Sequence, residues 1–454
     1  MSTLPASATP KLLQMLNWIF RPLAYMETNG HRYGDLFRAR GLYNTVFVSH
    51  PEAIRFLLTN DTNGIFTAPG ETNEILRPLL GGNSLMLLSG QAHRQRRQLV
   101  MPPFHGERLK VYADLIRDIT REAMIGFSPQ TPFQARKLMQ KITMRVILQA
   151  VFGLHQGDRY QRLQTLLAQR LDMASKPLAS TLLFFPILRT DLGPWSPGGR
   201  ALALAGEIDD LLYAEIRERR QALAADRNDI LSLLLQARNE DGNGLSDEEL
   251  RDELMTLLVA GHETTATALA WALYWSHRDP AIKARIREEI AEANATDHPL
   301  QLTKLPYLEA VCKETLRIYP VALLTFARRL EQPADLLGHS LEPGTTLMGC
   351  IYLLHHREDL YPQPQQFRPQ RFLERQYSAF EFMPFGAGAR RCVGAALAMY
   401  ELKIVLGTLL AEFDLSLSSD QPVVPERRGV TLGMKGGVDM VFAGRRTPVA
   451  SALV

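Results

Sequence analysis

The 454-residue sequence predicts a mainly α-helical protein with small β-sheet regions. From about residue 89 to Tyr319, apolar residues recur at helical spacing in long segments, broken at Pro102-Pro103, Pro129, Pro186 and Pro194. Short runs with the composition of strands stand at Asp35–Arg40, Thr45–Ser49, Leu324–Leu330 and Thr345–Tyr352. No linker-like stretch separates the two kinds of segment. One domain over residues 1–454 is therefore expected, with a strand-rich flank at about 33–60 and 324–352 beside a helical body.

Taken in order, Leu12–Gly30 reads as a first helix, and Gly41–Asn44 as the turn joining the first two strands. Pro51 opens a short helix through Leu58, since proline suits a first helical turn. Thr67–Leu88 reads as irregular, punctuated by Pro69, Gly70, Pro78, Gly81 and Gly82. Leu182–Leu188 is an apolar cluster beside a loop, suited to core, to a lid over an apolar channel or to a membrane-touching patch. Ser246 followed by Glu249 is a capping box, and apolar spacing continues its helix to the stop at Pro280. Leu305–Ile318 is a further helix ending before Pro320. Pro362–Pro369 is a proline-rich meander, and Ala395 to about Phe413 is the last helix.

Composition narrows the function. A formal net charge of +3 gives no electrostatic case for a nucleic-acid partner. Three cysteines, Cys312, Cys350 and Cys392, do not make a disulfide framework and suit a reducing compartment. The amino-terminal twenty residues contain no apolar run of the ~18 residues that a membrane span needs. A cytoplasmic monomer is expected, with peripheral membrane contact as a further expectation.

Cys392 lies in the turn Phe385–Gly394, at the mouth of the last helix. Free backbone N–H groups and the positive dipole end favour an anion there, so a lowered thiol pKa and metal binding as thiolate are expected. Gly388 and Gly394 allow tight turning and the approach of a flat ligand. In the middle of the long helix, Ala260-Gly261-His262-Glu263-Thr264 contains a helix-weakening glycine and a threonine able to bond the carbonyl one turn back. Glu314 and Arg317 are three apart on one helix face. His93 and Arg97 likewise stand one turn apart on a basic helix with Arg94 and Arg96.

Phe385-x-x-Gly388-x-Arg390-x-Cys392-x-Gly394 resembles the haem-binding loop of the cytochrome P450 superfamily. Gly261-x-Glu263-Thr264 resembles its oxygen-activation segment, and Glu314-x-x-Arg317 with Arg371 its buried Glu–Arg–Arg cluster. The resemblance runs from about Arg32 to Arg446 in motif order. His93 stands where many members have Trp, Ala327 where many have Pro, and the Pro-Pro-Gly-Pro hinge is absent; a bacterial-type member is implied.

The resemblance implies heme b (iron protoporphyrin IX) as cofactor, with Cys392 as its metal ligand. His93, Arg97, Arg390 and Arg328 would meet the propionates, with Arg329 as an alternative to Arg328. Ala260, Gly261, Thr264, Phe385, Gly386, Val393 and Gly394 would line the macrocycle. Thr264 and Glu263 would be the catalytic alcohol and acid that deliver protons for oxygen activation.

The implied activity is monooxygenation of an apolar substrate such as a fatty acid or terpenoid. Electrons would come from a ferredoxin with its reductase, or a flavodoxin. The substrate is expected among Thr67–Leu88, Leu171–Trp195, the Ala260 segment and Val321–Leu324. Arg77 is a candidate for a fatty-acid carboxylate, and Arg94, Arg96 and Arg391 for the docking face of an acidic ferredoxin. Competing readings are a peroxide-driven peroxygenase or isomerase, which needs no proton relay, and a non-enzymatic haem sensor or carrier.

Overall fold

The computed structural model describes residues 4–39, 45–153, 157–175, 190–193, 195–221, 227, 229–240 and 242–446. Its axis is the helix Asp247–Arg278, whose 32 residues span about 48 Å at ~1.5 Å each. Ser246 caps it as the sequence predicts: its hydroxyl accepts from the Glu249 N–H, and the Glu249 carboxylate accepts from the Ser246 N–H. The helix is buried nearly all round, which only an interior helix can be. Ala135–Phe152, Pro197–Gln221, Pro306–Ile318 and the carboxy-terminal helix Ala395–Glu412 pack around it. Leu254, Leu258, Leu269 and Leu273 meet Ile142, Leu402 and Leu406 in one continuous core.

A five-stranded sheet flanks this body in the order Leu36–Ala39, Thr45–Val48, Thr346–Gly349, Arg328–Leu330, Phe66–Thr67. The pairing of Thr45–Val48 with Thr346–Gly349 is parallel, so segments about 300 residues apart form one surface. Of three further small sheets, one is the hairpin Ala334–Leu336 with His339–Leu341, and the other two involve Thr131–Gln134 and the strands after residue 412. No helix among the described residues is long and apolar enough to cross a membrane.

Several elements differ from expectation. The first helix divides into Lys11–Phe20 and Pro22–Tyr33, because Pro22 has no N–H to continue the ladder. Thr67–Leu88 contains a 3-10 segment, Gly70–Leu76, and a short helix, Arg77–Leu80. Leu324 keeps only an isolated bridge to Cys350, and Tyr352 lies in the short helix Ile351–His355 rather than in a strand. The carboxy-terminal strands Phe413–Leu417, Pro425–Arg428, Thr431–Met434 and Asp439–Arg445 are additions to the expected flank. The turn Gly41–Asn44 and the apolar cluster Leu182–Leu188 lie outside the described residues.

The expected Glu–Arg–Arg cluster is buried. Arg317 forks onto Glu314 at 2.7 and 2.9 Å, and Arg371 reaches Glu314 Oε1 at 3.1 Å. Glu314 Oε1 also accepts the Arg368 N–H, while the two guanidinium groups bond the carbonyls of His355, Pro362 and Gln366. A carboxylate at no measurable exposure tolerates burial only with such complete pairing. The cluster thus fixes the meander to the helix Pro306–Ile318. Glu314→Ala, which leaves two buried cations without their acid, is expected to cost about 3–5 kcal/mol in urea unfolding, or to abolish folding.

Candidate functional site

Cys392 follows a 3-10 turn, Gly388–Arg390, and precedes the helix Ala395–Glu412. Its N–H donates to the Phe385 carbonyl at 2.9 Å, closing the loop on itself. Gly386 and Gly388 adopt φ values of 64° and 69°, left-handed conformations that a side chain rarely allows. At Gly394 the opposite holds: a Cβ there would meet nothing within 4 Å among the described residues, so the backbone beside the sulfur is not crowded by them. Cys392 itself is exposed.

Its thiol departs from the expected lowered pKa. Desolvation by the surrounding protein pushes it up, and the Gly394 N–H, Arg97 and Arg391 only partly pull it back. The expected depression is therefore not a property of the polypeptide alone.

His93 and Arg97, one turn apart on Gly90–Val100, converge with Arg390 and Arg328. His93 is buried, and its imidazole is pushed down to about 3, first by desolvation and then by Arg390, Arg97 and Arg328. Neither its ring nor the half-buried Arg97 guanidinium has a hydrogen-bonding or ion-pair partner among the described residues. Burial lowers the Arg97 pKa, while Cys392 acts on it as an opposite charge. Unpaired buried donors are expensive unless something else accepts from them. These groups fit the carboxylates of a haem.

Arg390 and Arg328 are engaged differently. Arg390 donates to the carbonyls of Ala68, Leu85 and Leu88 at 2.5–3.2 Å and meets no acid there. Arg328, fully buried, pairs with Asp61 at 2.7 Å. Its charge is thus already compensated, unlike the free counter-charge expected. Arg329, the alternative, is half exposed and pairs with Glu71 and Glu331.

Across the core, residues 259–261, 263 and 264 form a partly exposed stretch within the otherwise buried long helix. Thr264 donates to the Ala260 carbonyl at 2.5 Å, as its position one turn on predicts. Gly261 makes room for a neighbouring helix rather than a ligand: an added Cβ would lie 2.8 Å from Ile147. His262 meets Thr143 at 2.8 Å. Glu263 differs from the expected free acid: Arg136 and Gln140 occupy its two oxygens at 2.6 and 2.8 Å. Gly261, His262 and Glu263 therefore anchor the long helix to Ala135–Phe152.

Two sequence assignments near the site change. Arg96 is buried, not part of a docking face; it pairs with Glu249 and, at 3.0 Å, with Glu253 of the long helix. Arg94 and Arg391 are exposed. Arg77 forks onto Glu74 at 2.5 and 2.6 Å, so its charge is spent locally. Of the expected substrate region Leu171–Trp195, residues 176–189 and 194 lie outside the described residues.

Sequence reasoning missed the residues that hold the loop before residue 89. Glu253 accepts the Leu85 N–H at 2.8 Å, Asp252 the Asn83 N–H at 2.7 Å, and Thr256 meets Ser84 at 2.7 Å. Arg96 takes the Asn83 carbonyl. The pair Asp252–Glu253, beyond the first turn of the long helix and just ahead of the apolar run from Leu254, was the available signal, since buried acids demand partners.

The sequence pattern of the family described as Cytochrome P450 matches residues 9–438. A protein described as putative cytochrome P450 135B1, from Mycobacterium tuberculosis and Mycobacterium bovis, is 36% identical over 414 residues, covering 90% of this chain and 85% of the relative. Putative cytochrome P450 138 of the same organisms is 33% identical over 445 residues, 97% of this chain and 96% of the relative. Among solved structures, retinoic acid-bound cyanobacterial CYP120A1 superimposes with a TM-score of 0.83 at 25% identity, covering 98% of this chain and all of that one.

Burial pushes the Glu253 carboxyl up to about 7, against the pull of Arg96 and the Leu85 N–H, and its Oε2 has no partner among the described residues. A carboxyl whose folded pKa exceeds its unfolded one keeps its proton in the fold to higher pH. Its contribution to stability is full below the unfolded value, near 4.5, and is lost as pH rises through about 7. Melting temperature measured from about pH 5 to about pH 8 should fall more steeply in the parent than in Glu253→Gln.

Proposed function

The chain belongs to the cytochrome P450 family, and from that premise we propose which residues hold its haem, what it oxidises and what reduces it. It is a haem-thiolate monooxygenase. When bound, the haem supplies dioxygen activation and the transfer of one oxygen atom, chemistry that a thiolate donor favours by pushing electron density toward iron.

Cys392 is the proposed ligand, with the Gly394 N–H, Arg97 and Arg391 stabilising charge on its sulfur. His93 and Arg97 donate to the haem carboxylates, and the pairing they lack among the described residues is the observation that carries this assignment. Arg390 joins them by exchanging one of its carbonyl partners. Phe385, Gly386, Val393 and Gly394 form the cysteine side of the cleft; Ala260, Gly261 and Thr264 form the other.

Thr264 holds a proton on the Ala260 carbonyl and can turn it outward, accepting another from water. Glu263, clamped by Arg136 and Gln140, fixes the helix at that level and joins proton transfer only by releasing one of them. The Thr264 hydroxyl favours monooxygenation over a peroxide-driven or isomerising reaction, which has no use for a relay.

The proposed substrate is an apolar acid, either a fatty acid or a terpenoid acid. The apolar stretches around the site support it, as does the retinoic acid bound by the cyanobacterial neighbour. Electrons come from a separate ferredoxin with its reductase, or a flavodoxin, docking at Arg94 and Arg391. We also propose a cytoplasmic location with peripheral membrane contact. Leu12, Leu13, Leu16 and Phe20 are exposed along one helix flanked by Lys11 and Arg21, which suits an anionic lipid surface.

Titrating the haem-loaded protein with retinoic acid, long-chain fatty acids and their methyl esters should give a high-spin absorbance shift with at least one acid; a shift with none sinks the substrate class. The same preparation of Cys392→Ser should lose the long-wavelength Soret band of the reduced carbon monoxide form, and a retained band rules that sulfur out. Arg391→Glu should slow reduction by ferredoxin several-fold at low salt, with the difference shrinking as salt screens it. Equal rates at low salt would remove Arg391 from the docking face.

A further inference from the structure

The loop that presents Cys392 has few bonds of its own. Besides the Cys392 N–H to Phe385 closure, Gly386 donates to the Met383 carbonyl at 3.0 Å and Arg391 to the Gly388 carbonyl at 3.1 Å. Those contacts shape the loop, and the Arg390 side chain ties it to the Ala68, Leu85 and Leu88 carbonyls, while the backbone of the tip is held separately. At its tip, the Ala389 N–H donates to Asp61 Oδ2 at 2.9 Å, across 328 residues of sequence. The same oxygen accepts from Arg328 Nε at 2.8 Å and Nη2 at 2.7 Å. Arg328 Nη2 also reaches the Ala387 carbonyl at 3.3 Å, and Nη1 reaches the Phe326 carbonyl at 2.8 Å. One buried ion pair therefore grips an amide and a carbonyl two residues apart on the loop.

We propose that Asp61 and Arg328 form the positioning clamp of the cysteine loop, the carboxylate holding the Ala389 N–H and the guanidinium holding the Ala387 carbonyl, so that together they set where Cys392 presents its sulfur. The clamp rests on Cys392 being the iron ligand. It gives Arg328 a task other than neutralising a haem carboxylate, and gives Asp61 one that no motif assigns.

Gly388 is the steric counterpart. A Cβ there would lie 2.4 Å from Asp61 Oδ2 and 2.6 Å from the Leu58 carbonyl, at a φ of 69°. The motif glycine is thus required by the close approach of the Pro51–Thr59 helix end, in addition to the turn itself. Asp61 and Arg328 are both buried, so neither charge is tolerable without the other. A loop held by such a pair has one allowed position, whereas a neutral hydrogen bond at the same place would leave more freedom.

The test uses the full-length haem-loaded protein with Asp61→Asn, which keeps an acceptor for Ala389 without the charge, and Asp61→Ala, which removes both. Three quantities are read: the reduced carbon monoxide spectrum, the rate of haem loss to an excess of an apo-globin acceptor, and the iron reduction potential. The clamp predicts about tenfold faster haem loss in Asp61→Ala, with part of the carbon monoxide band moved to short wavelength and a shifted potential. Asp61→Asn should lie between Asp61→Ala and the parent. If Arg328 instead serves a haem carboxylate directly, Asp61→Asn frees its donors; haem loss then stays the same or slows and the band is unmoved, which overturns the clamp. Should Asp61→Ala fail to fold, the same readouts on Asp61→Asn decide the matter. A parent protein without the long-wavelength band would instead overturn Cys392 as ligand, and with it the clamp's purpose.

Discussion

A guanidinium group buried beside a carboxylate or a row of carbonyls is the interaction on which the site depends. The segments that carry the site, residues 60–89 and 356–394, contain little regular structure and so little ladder bonding. What holds them is a set of arginines taken out of water. Arg317 and Arg371 fasten the meander through Glu314, Arg328 the cysteine loop through Asp61, and Arg96 the Asn83 region through Glu253. Arg390 draws together Ala68, Leu85 and Leu88. Each guanidinium presents five donors in a rigid plane, so one side chain can fix several backbone carbonyls at once.

The long helix applies the same physics to its own placement. Glu263 is held by Arg136 and Gln140, His262 by Thr143, and Gly261 by the absence of a side chain against Ile147. Three consecutive residues thus set the rotation and height of the helix. Thr264, the next residue, inherits that precision, and among the described residues its hydroxyl is committed only to the carbonyl of Ala260. A helix free to slide by one residue would move that oxygen by ~1.5 Å, enough to spoil a proton transfer.

What was legible in the sequence follows the range of the interaction. Glu314 and Arg317 are a local pair, and the capping box at Ser246 is local too; both are where spacing places them. The turn at Cys392 and the bond from Thr264 to Ala260 are equally short-range. Asp61 and Ala389 are far apart in sequence, and Arg96 meets Glu253 across 157 residues. No periodicity encodes such pairings, so Arg96 looked like one more solvated arginine on a basic helix. The strands Pro425–Arg428 and Thr431–Met434 escaped for another reason. Arg427 and Arg428 turn aside to bond Trp18, Gly429 and Met434 carbonyls, so a run without the alternating apolar pattern of a strand still pairs as a hairpin.

The contrast between Arg97 and its neighbours separates cofactor-binding charge from structural charge. Arg328, Arg96 and Arg317 are buried, and each has its acid within the protein, which is the arrangement a stable interior demands. Arg97 is half buried, stands in the field of the cysteine sulfur, and has no acid of its own among the described residues. Beside it, His93 is held neutral first by burial and then by surrounding cations, and has an imidazole N–H to give. Charge complementarity left unfinished by the protein is completed by something else, and two adjacent donors require an acceptor that is itself anionic. A basic motif on a helix becomes specific for a cofactor only at the residues for which the fold supplies no partner.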